Sequence, residues 1–156
     1  MYESMDERRR YLVPTLGRIH GALEVYSWPL VRAATGLFFV PHGLQKLFGM
    51  WGGDIARTAE GMAKQGLEPA IFRVHYIGVL EVFGGILLAI GFLTRPIAVL
   101  FIGFMAVAAF HVHMPQGWFW TNRGMEVPLY LMLICIAIVI RGGGTLSVDQ
   151  LLRREI

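Results

Sequence analysis

Phe72–Leu93 reads FRVHYIGVLEVFGGILLAIGFL. A hydrocarbon core of about 30 Å needs roughly 20 mostly apolar helical residues, and this run supplies them. One acid, Glu81, interrupts it near the middle. At 1.5 Å per residue Glu81 lies about 13 Å from the start of the run, too deep for a glutamate to reach the interface. Such a carboxyl must be neutral, or it must turn inward to a cationic or hydrogen-bonding partner. Gly78, Gly85 and Leu88 share its helix face, so a neighbouring helix can approach closely there. A bundle-locking carboxyl and a proton-accepting or ligand-binding group are both open readings of it.

Three further windows have the same character: about 29–48, about 96–114 and about 126–140. The whole chain of 156 residues is 55% hydrophobic and 16% charged. Ordinary soluble domains are about 45–50% apolar and about 25% charged, so this balance excludes a soluble enzyme domain and a disordered chain. The single cysteine, Cys135, excludes an intramolecular disulfide framework and a thiolate metal cluster. A net charge of +3 does not point to nucleic acid, because the basic residues gather at the flanks of the apolar runs. The expected fold is all-α: an integral membrane four-helix bundle with a short outer interfacial helix between spans one and two.

Local punctuation sharpens the divisions. Pro29 suits a helix start, and Pro41 should loosen the first span near residue 37. Thr94-Arg95-Pro96 reads as a stop between spans two and three. Gly142-Gly143-Gly144 closes span four. Arg8, Arg9, Arg10, Arg18, Arg95, Arg141, Arg153 and Arg154 fall on one side, against Arg57, Lys64, Arg73 and Arg123 on the other. That bias places both termini in the cytoplasm of a multi-pass plasma-membrane protein. The organisation is then a charged arm over 1–27, a four-span unit over 28–141 and a short amphipathic tail over 142–156. Trp28, Trp51, Trp118 and Trp120 sit at span ends, as an interfacial belt requires. Between spans one and two, Asp54–Gln65 places Ile55, Ala59, Met62 and Ala63 on one face, with Gly66 as a stop.

The remaining intramembrane polar residues define a candidate site. Arg32, Gly36, Phe39, Gly43 and Lys46 share a face of span one, with His42 at its flank. Arg32 and Lys46 serve opposite leaflets, and either can snorkel to its nearer interface. His42 is too deep for that and lies close to the level of Glu81, so His42–Glu81 is the first pair expected. His111 and His113 end span three. In a regular helix they point apart, which disfavours a metal site. One of them faces the bundle and the other the interface, and His111 is taken as the inward one although spacing alone does not choose between them. Glu126 opens span four, where the helix dipole favours a carboxylate. His42, Lys46, Glu81, His111 and Glu126 thus come from four spans at the outer level, with Arg32 nearer the inner end.

These residues also form a pattern. Arg32 followed by His42-Gly43-Leu44-Gln45-Lys46-Leu47-Phe48-Gly49, then Glu81-Val82-Phe83-Gly84-Gly85 running to Gly91-Phe92-Leu93-Thr94-Arg95, resembles the DoxX family of small four-span membrane proteins. The histidine ending span three, and Gly142–Asp149 after span four, fit the same resemblance, which covers about residues 28–150. Name-giving members of that family are linked to a membrane thiosulfate:quinone oxidoreductase, and relatives to redox and sulfur-stress assemblies. The resemblance therefore implies a redox setting, although a family likeness does not by itself assign an activity.

Two functions follow as expectations. In the first, Glu81 and His42 act on protons while Lys46, Arg32, His111 and Glu126 hold a membrane quinone. No flavin, haem-attachment or iron–sulfur motif is present, so electrons come from a partner redox protein or a small thiol or thiosulfate donor. In the second, the chain is a non-catalytic anchor or assembly subunit, as a homo-oligomer or with a partner, and the polar network only specifies the fold.

Overall fold

The structure, a computed structural model, describes residues 14–153. The expectations for the arm before residue 14, Arg8–Arg10 included, and for Arg154 lie outside the described residues. The described chain is all-α: α1 Pro14–Phe48, α2 Ile55–Lys64, α3 Ala70–Ile90, α4 Thr94–Gln116, α5 Glu126–Arg141 and α6 Val148–Leu151. Both α3 and α4 are long and apolar enough to cross a membrane. Two helix pairs make the bundle, α1 packing mainly on α3 and α5 mainly on α4. Its outer surface is apolar, with Leu30, Leu37, Phe83, Leu133 and Ile140 all exposed, as suits a lipid surround.

Glycines set the α1–α3 distance. Gly36 meets the backbone of Gly85 and Ala89, and Gly43 meets that of Gly78 and Val82, so the two helices touch main chain to main chain. A Cβ at Gly43 would sit 2.6 Å from the Gly78 carbonyl, closer than any side chain tolerates. Across the bundle the Phe39 ring stacks on Phe101 at 4.0 Å. Leu88, Ala98, Cys135 and Ile138 complete a core that is fully buried.

Two expectations are corrected here. Pro29 does not begin the first long helix, which starts at Pro14 and passes through both Pro29 and Pro41. Proline removes the N–H that the carbonyl four residues back would accept. That carbonyl, on Val25, instead accepts from the Thr145 hydroxyl at 3.0 Å, so continuing the helix costs little. Nor is Thr94-Arg95-Pro96 a stop. Gly91, left-handed at φ 73°, ends α3, and Pro96 lies in the first turn of α4, where no N–H is needed. The helix expected over Asp54–Gln65 forms as α2, with the Asp54 carboxylate accepting from the Arg57 N–H at 3.0 Å and Gly66 at φ 75° beyond its end.

The tail, as far as it is described, folds back onto the bundle. Asp149 is buried and accepts from the Leu93 N–H at 2.8 Å, the Thr94 N–H at 2.9 Å and the Thr94 hydroxyl at 2.6 Å. Its own N–H donates to the Gly91 carbonyl at 2.9 Å. One side chain thus caps α4 and closes the turn after α3, satisfying N–H groups that a helix start leaves free. Asp149→Ala should lower stability by about 2–3 kcal/mol, the order of lost charge-assisted hydrogen bonds. Thermal unfolding in detergent reads this out, with Asp149→Asn falling between the variant and the parent.

Candidate functional site

The α1–α3 contact that the glycines permit brings Lys46 to Glu81. The Lys46 ammonium donates to both carboxylate oxygens, Oε1 at 2.9 Å and Oε2 at 2.8 Å. Glu81 is 3% exposed and the lysine side chain 18%. The expected His42–Glu81 pair is therefore replaced, and Lys46 does not snorkel. A lone anion in a low-dielectric core is so costly that the nearest cation turns inward to meet it. Lys46 also donates to the His42 carbonyl at 3.4 Å, which draws the ammonium along its own helix toward the acid. Glu81 stands in a π-helical turn, Leu80–Gly84, within α3. Such widened turns cost hydrogen-bond regularity and recur at functional positions.

Beside this pair lies a cavity of about 420 Å³ between α1, α4 and α5, with Glu81 of α3 among the residues of its wall. Phe39, Phe104, Met105 and Leu131 make most of its lining apolar, while His42, His113 and Trp120 bring the other polar atoms to it. The volume falls within the range of small-molecule sites, about 300–1,000 Å³, and the mixture of apolar wall and few polar groups is theirs too. His42 packs against Phe38, ring centroids 5.4 Å apart.

The histidines of α4 exchange the roles expected of them. His111 turns outward, its Nε2 2.9 Å from the Gln65 carbonyl at the end of α2. His113 faces the cavity, next to the Trp120 ring at 5.4 Å. The cause is a second π-helical stretch, Val107–His113. Its wider turn carries the bundle-facing row Phe101, Met105, Ala109 on to His113, where a regular helix would drift off the face. The His113 Nδ1–H donates to the Arg123 carbonyl at 2.6 Å, which leaves Nε2 as the proton-accepting atom of the neutral ring.

Two other expected site residues lie apart. Glu126 starts α5 but is not in the cavity wall, which its neighbours Val127 and Pro128 line. Arg32 is at the opposite end of the bundle, 2% exposed. Its guanidinium donates to the carbonyls of Gly143, Leu146 (3.0 Å) and Ala89 (3.4 Å). It ties α1 to the turn after α5 and has no part in the cavity. Sequence reading missed Phe38, Trp120 and His113 as cavity residues. Trp120 carried a signal, being one of the span-end tryptophans, but nothing local distinguished a ring facing lipid from one facing a pocket.

A helical membrane protein with a buried ion pair beside an apolar pocket is the class that this fold and site define. The DoxX family model matches residues 27–114, and the chain belongs to that family. It is 32% identical over 120 residues to "Putative oxidoreductase CatD" of Bacillus subtilis (strain 168), covering 77% of this chain and 82% of that protein. No solved structure matches it significantly.

The pair yields a direct test. Lys46→Met leaves Glu81 buried without its cation and should cost about 3–5 kcal/mol, whereas Lys46→Met combined with Glu81→Leu should recover most of that loss. Thermal melts of the two variants in one detergent measure the difference.

Proposed function

We propose that this DoxX-family protein binds a membrane quinone in the cavity beside Glu81 and supplies protons for its reduction. One observation carries the reading: a pocket with apolar walls whose few polar side chains are a carboxylate, two imidazoles and an indole. Because Lys46 already neutralises Glu81, the pocket offers no net charge to a free anion such as thiosulfate. A neutral ring with carbonyl oxygens suits it better, gaining burial from the walls and hydrogen bonds from the polar atoms. The relative's printed name, an oxidoreductase, supports the same direction.

In this reading the helices α1, α3, α4 and α5 provide four crossings of the plasma membrane, with both termini cytoplasmic and α2 on the outer surface. The pocket then opens in the outer half. Reduction of one quinone to the quinol consumes two electrons and two protons. The electrons come from a reduced sulfur compound or a partner redox protein. On the protein's side, His113 holds or delivers a proton at Nε2 while its Nδ1 is anchored on Arg123. His42 lines the same cavity from α1. Glu81 exchanges a proton with the cavity as its tie to Lys46 loosens and re-forms. General acid–base groups of this kind contribute about 10²–10⁴-fold.

A second reading is favoured by the glycine-lined α1–α3 contact and the tightness of the ion pair: a non-catalytic anchor or assembly subunit whose polar network locks the bundle. Glu81→Gln separates the two. It keeps an acceptor for Lys46 and removes the titrating oxygen. Under the quinone reading, reduction by a thiol or thiosulfate donor in purified protein should fall about 100-fold. Unchanged binding and reduction would exclude it. Under the anchor reading the variant melts early, the quinone signals stay flat, and a partner co-purifies in mild detergent at fixed stoichiometry.

A further inference from the structure

A second cavity, about 310 Å³, lies on the same α1–α5 seam. Val31, Ala34 and Thr35 form its α1 wall, and Tyr130 and Ile134 its α5 wall. Phe38, Val127 and Leu131 line this cavity and the one beside Glu81, so the two adjoin. On α1 the wall residues recur at three- and four-residue spacing, as they do on α5, which makes each wall a single helix stripe. From Phe38 back to Val31 the groove runs about 10 Å along the axis, away from the Glu81 level.

The seam is open for a reason visible in the packing. α1 is held by α3 and α5 by α4, so the α1–α5 side is where the two pairs meet least. Val31, Phe38 and Tyr130 are exposed on the outside of the bundle, so the groove faces the lipid sideways. Its wall is poor in polar groups. The Thr35 hydroxyl donates back to the Val31 carbonyl at 2.7 Å, and Tyr130 is the one other wall residue with a polar side chain. An elongated hydrocarbon fits such a groove, and a hydrated ligand does not.

We propose, resting on the quinone reading above, that the ligand bears a long apolar tail, polyprenyl or alkyl. The tail occupies the α1–α5 groove while the ring sits beside Glu81, and the molecule enters sideways from the bilayer past Phe38. The groove thereby gives the tail of the membrane quinone a binding surface separate from that of the ring. Ala34 and Ile134 set tail affinity from opposite walls without touching the ring.

The test uses a benzoquinone with a decyl tail and the same ring without one, titrated into the full-length protein in detergent by quenching of tryptophan fluorescence. Ala34→Phe and Ile134→Phe, made singly, each fill the groove. Each should weaken decyl-quinone binding by about 10-fold or more, since excluding even two methylenes exceeds the 1.4 kcal/mol this requires. Binding of the tailless ring should stay within about twofold of the parent, the criterion that separates tail from ring. Each compound is compared between proteins, so its partition into micelles cancels. Equal weakening of both compounds, or of neither, overturns the tail assignment and leaves the ring site standing. Failure of both compounds to bind the parent protein removes the quinone reading and this inference together. Two variants on different helices keep the test valid if one of them unfolds.

Discussion

A carboxylate near the middle of a hydrocarbon layer cannot stay alone, and the rest of the molecule is arranged around that demand. Glu81 takes both of its hydrogen bonds in the ion pair from Lys46, on a different helix. The two side chains reach each other only because glycines let α1 and α3 meet at main-chain distance. A buried pair of this sort is weak evidence of stability by itself, because desolvation offsets much of its attraction. Its value lies in specificity: it fixes which helices are neighbours and at what height. Binding the lysine also neutralises the acid toward the adjoining cavity, which becomes polar without becoming charged.

The same economy of polar groups governs the other end of the bundle. Arg32 finds carbonyls on the turn after α5 and on α3, and Asp149 finds the N–H groups that open α4. The Trp28 indole donates to the Gly142 carbonyl at 3.0 Å, with the Arg141 guanidinium 4.8 Å from its ring. All of these contacts except Arg32 to Ala89 join the carboxy-terminal segment to an element far earlier in the chain. One end of the bundle is therefore tied together by hydrogen bonds, while the cavity beside Glu81 lies toward the other.

Much of the fold was legible because apolar runs of span length and glycine or proline boundaries are local signals. The helix after Asp54, the end of α1 at Phe48, the extent of α5 and the inward demand of Glu81 could all be read from neighbouring residues. Long-range satisfaction was not legible. Nothing near Pro29 shows that Thr145 will occupy the freed Val25 carbonyl, and nothing near Asp149 shows that the start of α4 lacks a cap. The partner of Glu81 was misassigned because matching depths singled out His42. Lys46, one turn further out on the same helix, has the longer reach and the charge that decides the pairing. The histidines of α4 were exchanged because sequence spacing assumes a regular helix, and a π-helical turn rotates every residue beyond it. Of the candidate site, the acid and its level were readable, and the cavity was not.

The carbonyl cradle around Arg32 has a bearing on how the chain is made. Arg32 belongs to the first long helix, yet two of the three carbonyls that receive its guanidinium belong to Gly143 and Leu146. During synthesis that helix emerges long before those residues exist, and until then two of the acceptors for its cation are missing. The final seating of α1 must therefore await Gly143 and Leu146. A chain that stops short of them leaves a guanidinium with one of its three carbonyls, a mark by which quality control can recognise an unfinished copy.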